Sequence, residues 1–220
     1  MSANPAVQFN PFPGADEQGA EQGGLLIRSI SFPVVLRPSH PLSDDELLAF
    51  CVDNDFFRIE RSAAGELIVM TPSGGKTSNC ESFLSRELDL WAEKDGRGIA
   101  FNANGGFSLP DGSVRAADAA WLLLEKWNRL SREQQAKFVP FCPDFLIELR
   151  SPSDPVGDLE SKMADWMSNG AQLGWLIDPQ RKVAILYRPG RNPETLVRPE
   201  TLHGEAPVAG FELKMHRFWE

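Results

Sequence analysis

The chain has 220 residues, 42% hydrophobic and 24% charged, with 22 Lys and Arg against 31 Asp and Glu for a formal charge of −9. These proportions exclude wholesale disorder and fibrous repeats, and the length favours one domain burying about 70% of its unfolded surface. The acidic balance excludes nucleic-acid binding driven by an overall basic field, so any such role rests on a local site.

Residues 1–24 mix Pro, Gly, Gln and acids and read as a flexible lead-in to a single domain over 25–220. LLIRSISFPVVL (25–36) holds β-formers but contains Pro33, which makes it an edge strand or extended arm. SDDELLAFCVDN predicts a short helix with Ser43 as N-cap and acids in the first turn. FFRIER and GELIVM predict two strands joined by a turn at 63–65. TPSGGKTSN supplies a loop, and a helix from about Asn79 to Glu93 carries Phe83, Leu84, Leu88 and Trp91 on one side. GIAFNA, GFSLP and VRAADAAWLLL predict strands, the last two parted by Asp111 and Gly112, and EKWNRLSREQQAKF predicts helix with Ser131 as an internal cap.

FLIELR (145–150) predicts a strand, and Asp154 with Pro155 opens a helix that closes at Gly170. LGWLID and KVAILYR are two strands around a turn at 178–181, and GFELKM is a last short strand. The order of elements implies a mixed α/β (α+β) domain of sheet and helices with a substantial antiparallel component. No apolar run approaches the roughly 18 residues of a membrane span, and the segment before Arg28 lacks the pattern of a secretory signal. Cys51, Cys80 and Cys142 share no Cys-x-x-Cys spacing and read as reduced thiols of a cytoplasmic protein.

Alternation along FLIELR sets Phe145, Ile147 and Leu149 on one face and Asp144, Leu146, Glu148 and Arg150 on the other. A carboxylate in an apolar strand requires a partner or a metal, so Glu148 is either half of an ion pair, with Arg150 or across strands, or a ligand. Asp118 in VRAADAAWLLL is a second such acid; alone it reads as a strand-end residue, while convergence with Glu148 suits Mg2+ or Mn2+. In the helix after Asp154, Val156, Leu159, Met163 and Met167 form the apolar stripe and Lys162 flanks it. Lys162 either makes a solvated pair with Asp158 or points at the end of FLIELR, where burial near a metal lowers its pKa and makes the neutral amine accessible. Arg150 makes a poor base and holds a carboxylate or phosphate instead, and Glu81 serves a helix dipole or adds a ligand. Gly75–Lys76–Thr77 lacks the opening glycine of a P-loop, and the three histidines show no metal spacing.

PDFLIELRSPSD (143–154), then Lys162, GAQLGWLIDP and VAILYRPG, preceded by GELIVMTPSGG, GFSLPDGSVRAADAAW and FCPDF, resembles the Uma-two family of bacterial restriction-endonuclease-like proteins. The likeness runs from about 40 to 215 and implies a restriction-endonuclease-like core, a central mixed β-sheet flanked by α-helices, with the PD-(D/E)XK site. Carried over, it implies that Asp118 and Glu148 hold Mg2+ (or Mn2+) with the Leu149 carbonyl. Lys162 then replaces the lysine usually found two positions after the second acid, where Arg150 stands here. A rival alignment takes Pro143–Asp144 as the literal motif. The family pattern is altered in two places: Ala116–Ala117 precede Asp118, and the first-helix glutamate is displaced to Glu81.

The resemblance implies hydrolysis of DNA phosphodiester bonds in the cytoplasm, with Asp158 or Ser151 orienting Lys162. The competing expectation is a catalytically idle interaction module of the same fold, and a third is a hydrolase of small phosphoesters. Apolar strands near the termini, LLIRSISF and GFELKM, point to a homodimer.

Overall fold

The computed structural model describes residues 32–220. The lead-in expected over 1–24 lies outside these residues, as does most of LLIRSISFPVVL. The described part of that strand is β1 (Val34–Leu36), at the edge of a five-stranded sheet with β2 (Arg58–Arg61), β3 (Leu67–Met70), β5 (Phe107–Ser108) and β6 (Val114–Arg115), in the order β1-β3-β2-β6-β5. Helix α1 (Asp44–Asp53) lies between β1 and β2 and starts where expected, at Ser43. The Ser43 hydroxyl accepts the Glu46 amide while the Glu46 carboxylate accepts the Ser43 amide, so two otherwise orphaned donors are satisfied reciprocally.

The larger sheet has six strands and the order β11-β10-β9-β8-β7-β4. Its members are β4 (Gly98–Asn102), β7 (Ala119–Leu123), β8 (Phe145–Leu149), β9 (Leu173–Asp178), β10 (Val183–Tyr187) and β11 (Glu194–Val197). All neighbours are antiparallel except β8 and β9, which run parallel and are joined by helix α5 (Val156–Ser168). A parallel neighbour requires a crossover of a dozen or more residues, and α5 supplies it.

Strands β7 to β10 are apolar on both faces because both faces are covered. One face carries Trp121, Phe145, Ile147 and Trp175 against α2 (Gly75–Asp95) and the C-terminal segment. The other carries Leu122, Leu146 and Leu176 against Met163 and Trp166 of α5. Glu148 shares the α5-facing side with Leu146, so its carboxylate is aimed at a helix and not at solvent. No helix among the described residues is long and apolar enough to cross a membrane.

Gly98 in β4 sits where the chain passes closest to β7, and a Cβ there would run into the Trp121 ring and the Leu122 carbonyl. Both obstacles are buried and one is backbone, so neither can yield cheaply. Gly98→Ala is therefore expected to cost about 1–3 kcal/mol of stability. Chemical denaturation measures this directly, and an unchanged midpoint would refute the close approach.

Several boundaries differ from the sequence reading for identifiable reasons. VRAADAAWLLL is two strands in two sheets, because the Ala116 carbonyl and the Asp118 side chain bond to Arg58, Lys162 and Leu149 and interrupt the ladder. Helix α2 begins at Gly75, ahead of Asn79, with Gly74 as an N-cap that makes no side-chain bond. EKWNRLSREQQAKF breaks into α3 (Leu124–Asn128) and α4 (Arg132–Gln135), since Ser131 and Gln134 form their own capping box. Pro155, not Asp154, is the N-cap of α5; the Asp154 carboxylate accepts the Ser151 amide at 2.9 Å and closes the turn after β8. GFELKM is β13 (Glu212–Lys214), paired with β12 (Thr201–His203), and α6 (His216–Trp219) follows. Phe211, Leu213 and Met215 are buried in the core, so this strand offers no apolar face to a second copy.

Candidate active site

The register of β7 against β8 pairs Ala119 with Ile147, which sets Asp118 across from Glu148 at the next rung. The two carboxylates are 4% and 2% exposed. Asp118 is fixed by two donors: the Leu149 amide at 2.7 Å to Oδ2 and Arg58 Nη1 at 3.0 Å to Oδ1. Glu148 Oε1 accepts the Trp166 indole N–H at 2.8 Å and lies 3.0 Å from Lys162 Nζ. Lys162 and Trp166 are one turn apart on α5, so the helix that makes the crossover also delivers both partners of Glu148.

Lys162 has two more acceptors, Glu60 Oε1 at 3.0 Å and the Ala116 carbonyl at 2.9 Å. Glu60 comes from β2 in the smaller sheet and is 2% exposed. Its other oxygen lies 3.3 Å from Arg115 Nη1, and Arg115 Nη2 reaches Asp165 of α5 at 2.7 Å. Arg58 also bonds the Ala116 carbonyl and sits 3.5 Å from Glu60. Three buried acids, Glu60, Asp118 and Glu148, thus face Arg58, Arg115 and Lys162 where the two sheets and α5 meet.

Burial pushes the Glu148 carboxyl up, and the neighbouring Asp118 charge pushes the same way against Lys162 and Arg58. Burial works equally on Glu60, but Lys162, Arg58 and Arg115 outweigh it and hold Glu60 down at about 2. For Lys162 burial favours the neutral amine, yet Glu148 and Glu60 beside it outweigh burial and raise its pKa. With no metal beside it, the two carboxylates thus favour the ammonium form of Lys162. Its hydrogen-bond partners differ from those expected from the sequence. Glu60 and the Ala116 carbonyl hold Lys162, whereas Ser151 Oγ pairs with Ser153 Oγ and the Asp158 amide donates to the Pro155 carbonyl.

Arg150 holds a carboxylate, as one sequence reading had it: its Nη1 lies 3.1 Å from Asp178 Oδ2 and its Nε donates to the Asp154 carbonyl. Glu148 consequently pairs with Lys162 and not with Arg150. Glu81 stands in the second turn of α2, past the reach of a helix-dipole role. Ser73 Oγ donates to it at 2.8 Å, and burial followed by the charge of Asp118 raises its pKa, which places it beside the site. Asp144, the acid of the rival alignment, accepts from Lys126 Nζ and the Leu123 amide, a structural position where β7 passes into α3.

Glu60, Arg58, Arg115 and Trp166 escaped the sequence reading. The available signal was FFRIER, where Arg58 and Glu60 share a strand face two residues apart, a pattern that on one strand looks like a solvated edge.

Among the described residues no group of three or more His, Cys, Asp or Glu is arranged for a metal. Asp118 and Glu148 are two carboxylates, hard oxygen donors of the kind a divalent ion that keeps several of its waters takes.

The family model described as "Putative restriction endonuclease" (Uma2) matches residues 44–216. Among solved structures the chain is similar to "a putative nuclease belonging to DUF820 from Anabaena variabilis ATCC 29413", at 21% identity and a TM-score of 0.63. That alignment covers 81% of this chain and 98% of that one, a likeness of fold. No curated protein matches the chain. With nearly the whole described domain matched in sequence and its mixed, helix-flanked sheet matched in fold, the chain belongs to the Uma2 family of restriction-endonuclease-like proteins.

Proposed function

We propose that the chain is a metal-dependent endonuclease that hydrolyses DNA phosphodiester bonds, with Asp118, Glu148 and the Leu149 carbonyl as protein ligands of Mg2+ or Mn2+. The observation that supports this most is Lys162 Nζ lying 3.0 Å from Glu148 Oε1, next to the Asp118 carboxylate across the strand pair. When bound, the ion supplies a Lewis acid for the scissile phosphate and a water of lowered pKa. Trp166 orients Glu148 and the Leu149 amide orients Asp118, while Arg58 has to yield its place on Asp118 Oδ1 for an ion to bind there. Glu60 keeps Lys162 charged and aimed at the pair, where its ammonium stabilises negative charge developing on the phosphate. In this reading Lys162 is an electrostatic group and not a base.

The test is cleavage of supercoiled plasmid and of single-stranded DNA with Mg2+ or Mn2+. Wild type is expected to cut, and Asp118→Ala to lose at least about 10²–10³ in rate. Equal cutting by a folded Asp118→Ala protein would falsify the mechanism.

One observation favours a second reading, the catalytically idle module. The Arg58 guanidinium sits on Asp118 Oδ1, and the three buried acids are matched by three half-buried cations without any metal. Calorimetry with Mn2+ separates the two. A ligand site loses Mn2+ binding in Glu148→Ala, whereas an idle network shows no Mn2+ binding in wild type and only a lower melting temperature in the variant.

A further inference from the structure

A cavity of about 610 Å³ opens near Asp118, between the segment that enters β2, the loop after β3, the first three turns of α2 and the end of β4 with the loop that follows it. Its volume lies in the range of about 300–1,000 Å³ typical of ligand sites. Arg58 belongs both to its wall and to the salt bridge with Asp118, so one side chain separates the cavity from the proposed site.

The chemistry of the wall is unusual for a surface that meets nucleic acid. Arg58 is its only basic residue, and Asp55 and Glu81 oppose it. A duplex held by phosphate neutralisation finds no basic track here, in keeping with the chain's charge of −9. What the wall does offer is neutral hydrogen-bonding groups. Ser78, Ser82 and Ser85 lie on one face of α2, and Asn102 and Asn104 line the opposite side. Hydroxyls and amides of this kind bond base edges and phosphate oxygens alike.

The second feature is aromatic. Phe56, at the cavity wall, is 69% exposed, a large apolar ring left in water next to polar groups. It is not loose: its ring stands edge-on to Phe57 at 5.5 Å, and Phe57 stacks on Phe32 at 6.1 Å. A supported, exposed ring beside hydrogen-bonding side chains is the arrangement on which unpaired bases stack. A duplex hides its base faces and does not enter a cavity of this size.

We infer that this cavity binds a short single-stranded stretch of DNA, with one base stacked on Phe56 and the backbone led past Arg58 toward Asp118. The inference deepens the nuclease reading by naming its substrate form, and it rests on that reading only for what happens after binding. With Arg58 as the one cation of the wall, binding is carried by stacking and neutral hydrogen bonds, and its dependence on salt is shallower than is usual for single-stranded sites.

The test is fluorescence anisotropy of the full chain with a short labelled single-stranded oligonucleotide and with its duplex, in EDTA so that no cleavage intervenes. The single strand is expected to bind at least about tenfold more tightly than the duplex. Phe56→Ala is expected to weaken it by about tenfold, while Phe56→Trp restores it. Ser82→Leu, at an exposed helix position, is expected to obstruct the cavity and weaken binding similarly. Melting temperatures identify any variant that fails to fold.

Duplex binding as tight as single-strand binding, or affinity unmoved by both Phe56→Ala and Ser82→Leu, overturns the inference. Tight, Phe56-dependent binding with no cleavage in Mg2+ or Mn2+ upholds the cavity and removes the nuclease reading. Asp118-dependent cleavage with affinity insensitive to Phe56 does the reverse.

Discussion

Lys162→Met is expected to slow DNA cleavage by roughly 10²–10³-fold and to lower folding stability by about 3 kcal/mol. The substitution keeps most of the side chain's volume, so the loss is electrostatic and not a cavity effect. Glu60 and Glu148 each lie 3.0 Å from the ammonium and are almost wholly buried, so its removal leaves them short of a cation. Breaking a buried pair costs about 3–5 kcal/mol because a charge is left uncompensated. Glu148, already raised by burial, relieves part of that by taking up a proton, which puts the expected loss at the lower end. Rates per folded molecule and urea denaturation separate the two effects. A stability loss with unchanged cleavage would make Lys162 a structural cation and leave Arg58 as the positive group nearest Asp118.

The part of this site legible in the sequence is the part built from consecutive elements. FLIELR, the turn at Asp154 and the helix bearing Lys162 lie within about 20 residues, and strand alternation with helical spacing suffices to aim Glu148 at the crossover helix. Asp118 was legible as an acid stranded among alanines, because an uncompensated carboxylate there has no inexpensive alternative. Glu60 was not legible. It meets Lys162 across 102 positions, and nothing in FFRIER distinguishes a strand whose charged face is buried from one whose charged face is wet. The choice of partner for Lys162 failed for the same reason. Asp158 is its neighbour in sequence, but the small sheet brings a better-placed carboxylate from the other side. The C-terminal strands β11 and β12 escaped notice because they are short, polar and flanked by Pro193 and Pro199, so local preference gives them little signal.

Glu60→Gln is expected to be the most destabilising polar substitution in the domain, at about 3–5 kcal/mol. It keeps the shape of the side chain but leaves Lys162, Arg58 and Arg115 with one fewer acid to share. The same residue makes a pH prediction. Its carboxyl is held at about 2 in the fold against an ordinary value of 4.5, chiefly by Lys162, then Arg58 and Arg115, working against burial. A group depressed in this way contributes stability that is fully present above pH 4.5 and is lost as the pH falls toward 2. The difference corresponds to about 3 kcal/mol, without discount for solvent because the side chain is 3% exposed. Wild type is therefore expected to lose about that much between pH 4.5 and 2 from this residue alone, and Glu60→Gln to show a correspondingly flatter acid limb. Glu148 moves in the opposite direction, since its pKa is raised, and so does not add to the loss in this window. Thermal unfolding followed across this range for both proteins decides the matter. Parallel curves would mean that Glu60 is protonated in the fold as readily as in the unfolded chain. The three-cation cluster around it would then carry no net attraction, and Lys162 would lose the group that keeps it charged and aimed at Glu148.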